Sequence, residues 1–313
     1  MQRLEQLLAA RTPWLTDGGL ETTMIFNEGQ ELPSFAAFTL LDSETGRDAL
    51  TRYFHVYAAL ARNADTGLVL DTPTWRAGTS WGAVMGLDGT AIRRINAEAA
   101  AFCAGFRAGA EAEGMPVLLN GVLGPSGDGY ALERTLTGDE ANACHRVQVE
   151  ALAEAGVELI TAATMTHSGE AIGVVRAAQA AGVPVAVSFT VETDGRLPSR
   201  ETLSQAIATT DAATDGAPVY YMVNCAHPTH FSGVLEGSWV SRIGGIRANA
   251  SRMSHAELDE STELDAGDPD EFGQLYRDLG ALLPNLRVIG GCCGSDHRHV
   301  GAASGHFHRH HTR

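Results

Sequence analysis

The chemistry available to this sequence centres on sulfur. It has five cysteines, Cys103, Cys144, Cys225, Cys292 and Cys293. Cys103 and Cys144 fall in Ala-rich, helix-patterned stretches and read as small core residues. Cys225 follows Asn224 at the end of one apolar run. Cys292 and Cys293 stand among glycines, Gly290-Gly291-Cys292-Cys293-Gly294, at the end of another. Thiolates are soft donors that bind Zn2+ strongly, and three protein ligands leave a fourth position open, as in catalytic rather than structural zinc sites. The flanking glycines permit an unusual backbone path and a close approach to an ion. Other readings of these residues stand beside this one: buried core thiols, a vicinal disulfide, or a redox dithiol at Cys292 and Cys293. An odd number of cysteines makes a poor disulfide framework.

Whether the three sulfurs meet depends on the elements that carry them. Eight β-rich runs can be marked, at 14–19, 68–74, 116–124, 158–165, 184–191, 219–226, 242–250 and 286–294. Most are nearly continuously apolar, as expected of parallel strands buried on both faces. Helical patterns lie at 48–63, 91–113, 139–155, 170–181, 201–213 and 269–283. In the first of these Leu50, Tyr53, Phe54, Tyr57, Leu60 and Ala61 form one stripe. Gly114, Gly156 and Gly182 suit left-handed helix stops. This alternation predicts an α/β fold, a single (β/α)8 TIM barrel over 1–304, with its reactive groups at the carboxyl ends of the strands. Cys225 would then top the sixth strand and Cys292–Cys293 the eighth, all facing one mouth. A doubly wound open sheet is the runner-up, but no Gly-x-Gly-x-x-Gly turn follows the first strand. The acidic stretch 251–268 reads as a surface loop or lid. The His-rich end, 305–313, reads as a frayed tail that follows the last strand too closely for a full eighth helix.

The 313 residues carry a formal charge of −16, from 22 basic and 38 acidic side chains. Such a surface repels phosphate backbones, which argues against nucleic acid or anionic membrane as a partner. No apolar run reaches the ~18–20 residues that span a bilayer, and the charged start lacks the features of a signal peptide. A cytoplasmic protein with small-molecule partners is expected, and a homo-oligomer is compatible with this reading.

Three segments carry a resemblance. Asp17-Gly18-Gly19-Leu20-Glu21-Thr22, Val223-Asn224-Cys225 and Gly290-Gly291-Cys292-Cys293-Gly294, supported by Gly124-Pro125, Glu170-Ala171 and Ser188-Phe189, resemble the homocysteine S-methyltransferase family, in the right order and over nearly the whole chain. The resemblance implies a (β/α)8 barrel with zinc on Cys225, Cys292 and Cys293. It also implies methyl transfer from a sulfonium or ammonium donor, S-methylmethionine or S-adenosylmethionine being favoured, to homocysteine, giving methionine. A cobalamin or folate module does not fit in this length, so a diffusible donor is expected. Asp17 is the implied contact for the substrate ammonium, the N–H groups of Gly18 and Gly19 for its carboxylate, and Asn224 a further substrate contact.

One position departs from the family, which often has Glu after the fourth strand where this chain has Ala163, in Thr161-Ala162-Ala163-Thr164. Asp71, Thr164 or Glu192 would have to compensate, or the acceptor is a different thiol. Trp75, just past a strand end, is expected to face the donor cation, with Trp81, Tyr220 and Tyr221 as weaker candidates. His227 and His230 read as loop or supporting residues. A zinc-binding protein without turnover is the rival from another functional class.

Overall fold

The computed structural model describes residues 2–132 and 134–309, the last two by backbone alone. Eight short strands, β1 (Trp14–Leu15), β2 (Leu68–Asp71), β3 (Val117–Leu123), β4 (Leu159–Met165), β5 (Val185–Phe189), β6 (Tyr221–Asn224), β7 (Ile243–Ala248) and β8 (Val288–Gly291), close into a barrel in chain order. Every pairing is parallel, including β1 with β8. This is the expected (β/α)8 TIM barrel. Several strands are shorter than the apolar runs, which often overshoot the ladder at their carboxyl ends, where Gly18, Thr72 and Cys292 among others line the mouth.

Successive strand residues face opposite ways, and the sequence uses this parity. Leu68 and Leu70 join the large core between barrel and helices, whereas Val69 joins a second cluster with Trp14, Leu118, Ala186 and Met222. Higher on the inward rows the residues turn polar: Asp71, Asn120, Thr161, Ser188, Asn224 and Arg247. Helix Gln2–Ala9 adds Leu4 and Leu7 to the lower inner cluster, so it stoppers the floor of the barrel.

Several of the helices begin on side-chain caps. Thr137 with Glu140, Thr202 with Gln205 and Ser254 with Glu257 form capping boxes, each cap contributing about 1 kcal/mol. Gly182, at φ 69°, closes helix Ser168–Ala181 in the left-handed conformation a Cβ disfavours.

Two expectations need correction. A full helix, His297–Arg309, follows β8 and packs on helix Pro269–Leu282. The room comes from a close crossing: at Gly273 a Cβ would lie 2.6 Å from His306. Of the His-rich tail, 305–309 are therefore helical, and 310–313, with His310 and His311, lie outside the described residues. Tyr220 and Tyr221 do not face the mouth. Tyr220 belongs to the lower inner cluster, and Tyr221 points outward, donating its O–H to Asp211 at 2.7 Å. The acidic segment 251–268 carries a short helix, His255–Glu260.

Candidate functional site

The barrel mouth gathers the three sulfurs. Cys225, Cys292 and Cys293 have Sγ atoms all within 4.8 Å of one another, and among the described residues they are the one His, Cys, Asp or Glu cluster with metal-ligand spacing. Cys225 and Cys292 are paired as a disulfide, with Cα atoms 5.4 Å apart, and Cys293 is free. Burial pushes the Cys293 thiol up, and the O–H of Tyr130, donated to its sulfur at 3.4 Å, pulls it down.

Asn224 organises this end of the barrel. Its Nδ2 donates to Thr164 Oγ1 at 2.8 Å and to Cys225 Sγ at 3.2 Å. Its Oδ1 accepts from the Thr164 N–H at 2.9 Å and from Ser188 at 2.6 Å. One amide thus ties the tops of β4, β5 and β6 together. Thr164 and Cys225 both take left-handed φ values, 60° and 53°. Non-glycine residues rarely do so, and such strain clusters where a site requires it.

Behind the sulfurs lies a small chamber lined by Asp17, Glu21, Asp71, Ala163, Arg247, Cys225, Cys292 and Cys293, among others. Its charges are paired in a way the sequence did not disclose. The Arg247 guanidinium forms ion pairs with both Asp17 and Asp71, and its Nε donates to the Gly291 carbonyl at 3.1 Å. Asp17 also accepts from Tyr53 at 3.1 Å, and Asp71 from Asn120 at 2.7 Å. Burial pushes the Asp17 carboxyl up and Arg247 opposes this. Both aspartates therefore have their oxygens engaged. The carboxylate of Glu21 has no ion pair and no hydrogen bond to another side chain among the described residues, and burial pushes it up to about 7.

Of the glycine turn, the Gly19 N–H is already donated to the Ser295 carbonyl at 2.9 Å. Here glycine is required by space: a Cβ at Gly19 would sit 2.6 Å from the Cys292 carbonyl, and one at Gly18 2.6 Å from the Tyr57 hydroxyl. This turn and the cysteine segment are packed backbone to backbone. Glu192 lies away from the chamber. It meets His255 Nδ1 at 3.1 Å, and His255 in turn bonds the Cys225 carbonyl through Nε2 at 2.7 Å and stacks on Tyr130. Its place is therefore to hold the 251–268 segment over the site. His227 bonds Thr229 within its own turn, and His230 bonds the Arg252 carbonyl.

Outside the sulfurs an open cavity of about 320 Å3 is lined by Phe26, Phe35, Trp75, Arg76, Tyr130, Cys225 and Cys293, and by four acids, Asp128, Asp259, Glu263 and Asp265. Trp75 meets Phe35 edge-on at 6.4 Å and seats against Gly124, where a Cβ would lie 2.5 Å from its Nε1. Trp81 lies behind it, stacked on Arg76.

With this geometry in hand, comparison with known proteins is informative. The chain matches the sequence model described as homocysteine S-methyltransferase over residues 14–306. No curated protein is similar enough in sequence to count as a match. Among solved structures it is similar to the homocysteine methyltransferase MmuM from Escherichia coli. Against the oxidized form the TM-score is 0.76 at 20% identity, covering 97% of this chain and 99% of that one. Against the metallated form it is 0.74 at 19% identity, with the same coverage. At that identity the structural likeness speaks for the fold, and the sequence match speaks for the family. No described helix is long and apolar enough to cross a membrane. A sequence match spanning nearly the whole chain, on a TIM barrel whose mouth collects three cysteines, places this S-methyltransferase in the homocysteine S-methyltransferase family.

Proposed function

We propose that the enzyme moves a methyl group from a cationic sulfonium or ammonium donor to the sulfur of homocysteine, with zinc held by Cys225, Cys292 and Cys293. The observation that carries this is the convergence of the three sulfurs within 4.8 Å. Sulfurs gathered this closely could share one ion through Zn–S bonds of ~2.3 Å, once the bond between Cys225 and Cys292 is opened. The donor set is soft, as zinc in such sites prefers. Ligation requires all three thiolates, so the Cys225–Cys292 pair must first be reduced to two thiols by an external two-electron reductant such as a dithiol, which leaves as its own disulfide. MmuM is described in both oxidized and metallated forms, which supports the same two conditions here.

Zinc held by these three cysteines would supply the charge that keeps an incoming thiol, of free pKa ~8.5, deprotonated at neutral pH. The remaining work falls to the protein. Asn224 and Tyr130 donate hydrogen bonds to the ligand sulfurs and fix their orientation. Glu21, the carboxylate left free in the chamber, takes the ammonium group of the acceptor, while Arg247 holds Asp17 and Asp71 as the chamber wall. Phe35 and Trp75 line the outer cavity, where an aromatic face attracts a methylated cation. The acceptor sulfur displaces a neutral sulfide or amine in line. No base is needed at the methyl carbon, so catalysis is chiefly positioning.

The test is Cys292→Ala, assayed for bound zinc and for methionine formed from homocysteine and S-methylmethionine. Both should be lost together. Full turnover by a metal-free variant would sink the reading.

A further inference from the structure

Arg76 presents an unresolved charge. It stands one residue past Trp75, is only 9% exposed, and its Nε and Nη1 have no hydrogen-bond partner. Among the described residues the single carboxylate within 4 Å is Asp128, at 3.9 Å, beyond hydrogen-bond range. The guanidinium is held between two indoles instead, 3.4 Å from the Trp81 ring and 4.7 Å from that of Trp75. A buried cation without a hydrogen-bonded counter-ion is destabilising, and buried polar groups are nearly always satisfied. A guanidinium also presents the planar fork that matches a carboxylate.

The surroundings indicate when the partner arrives. Arg76 lines the outer cavity, which reaches Cys225 and Cys293 at its inner end. It is the one basic residue of that lining, against Asp128, Asp259, Glu263 and Asp265. A simple anion would be repelled by those acids, and a simple cation would leave Arg76 unpaired. A ligand with a positive centre and a carboxylate satisfies both. From this geometry we propose that Arg76 is the specificity residue for the methyl donor, binding a donor carboxylate while the methyl-bearing onium centre lies against Trp75 and Phe35. The proposal deepens the reading above and rests on it for the direction of methyl transfer.

The experiment compares S-methylmethionine with its decarboxylated analogue, (3-aminopropyl)dimethylsulfonium, using the reduced, zinc-loaded full chain. Wild type should favour the carboxylated donor. Arg76→Met should raise KM for S-methylmethionine about 10- to 100-fold, as expected for hydrogen bonds to a charged group. Its kcat, its KM for homocysteine and its kinetics with the analogue should change little. Arg76→Lys, which keeps the charge but not the fork, should fall between the two. An unchanged donor preference in Arg76→Met overturns the proposal, as does an effect confined to the KM for homocysteine. A second readout avoids turnover and does not depend on the variant folding. Trp75 and Trp81 flank the guanidinium, so indole fluorescence of the wild type, without acceptor, should respond to S-methylmethionine at far lower concentration than to the analogue. Equal titration curves also overturn the proposal. If no thiol is methylated by any donor the transferase reading fails, yet the titration still decides the role of Arg76.

Discussion

The amide of Asn224 lies 3.2 Å from the sulfur of Cys225, the residue that follows it in the chain. Cys225 itself takes a left-handed backbone, φ 53°. The same amide accepts from Ser188 and Thr164, so its rotamer is set by three strands rather than by the sulfur. Replacing Asn224 with Ala should weaken zinc binding about 10- to 100-fold, the usual effect of losing a group that orients a ligand. Chelator competition measures this directly, and an unchanged zinc affinity would show that Asn224 acts on the backbone alone.

Glu21 should matter for binding more than for chemistry. Glu21→Gln keeps the shape and removes the charge, so KM for homocysteine should rise about tenfold, equivalent to ~1.4 kcal/mol, while kcat stays within a few-fold. The control is 4-mercaptobutanoate, which lacks the amino group. Its kinetics should not distinguish the variant from wild type, and if wild type uses it as well as homocysteine, no carboxylate in the chamber reads an amine.

Arg247 holds two buried carboxylates apart. Arg247→Met would leave Asp17 and Asp71 facing each other without a cation, and breaking a buried pair by removing one partner typically costs about 3–5 kcal/mol. The denaturant midpoint should fall accordingly. Adding Asp17→Asn to that variant should restore part of the loss, since one of the two stranded charges is then gone. A double variant no more stable than the single would contradict this.

At the start of the last helix, Asp296 accepts the Arg298 N–H at 2.8 Å and pairs with its guanidinium at 2.7 Å. Burial pushes the Asp296 carboxyl up, but His299 and Arg298 outweigh it and hold the group well below the usual carboxylate range. A carboxyl depressed in the folded state stabilises fully above its unfolded value, ~3.9, and loses that stabilisation as pH falls toward the folded value. Asp296→Asn should therefore lower the urea midpoint at pH 7, and the gap to wild type should shrink between pH 5 and pH 3. A constant gap would assign the effect to packing.

Gly19 tests the contact between the glycine turn and the cysteine segment. Gly19→Ala would press a methyl group against the Cys292 carbonyl, 2.6 Å from the ideal position. Zinc content should drop with little loss of helix content by circular dichroism.

The three cysteines were legible because strand order alone determines which loops share a mouth, and each sulfur follows an apolar run. The expected binding role of Asp17 rested on resemblance and met a partner no local pattern discloses: Arg247 comes from a strand 230 positions away and looks, in sequence, like a lone charge in an apolar run. Tyr221 was misplaced because a run apolar on both faces does not reveal its parity, and one residue of slip exchanges inside for outside; Tyr220 faces inward but stands at the foot of its strand, in the lower cluster rather than at the mouth. Glu192 was close in sequence to a strand end, but its loop carries it to His255. The final helix was missed because a histidine-rich segment reads as a tail, while its apolar stripe, with buried Val300, Ala303 and Phe307, is spaced at helical intervals. Glu21 and Arg76 carried a signal that went unused: Glu21 lies within the Asp17–Thr22 segment that carried the resemblance, and Arg76 directly follows Trp75.

The apolar stopper formed by helix Gln2–Ala9 has a consequence for traffic. With the floor sealed, the chamber of Glu21 and the cavity of Arg76 both lie toward the carboxyl ends of the strands, and Phe35, Trp75, Thr164, Cys225 and Cys293 line both. Under the proposed transfer the two reactants would share that rim, so an excess of donor should slow turnover by crowding the approach of the acceptor.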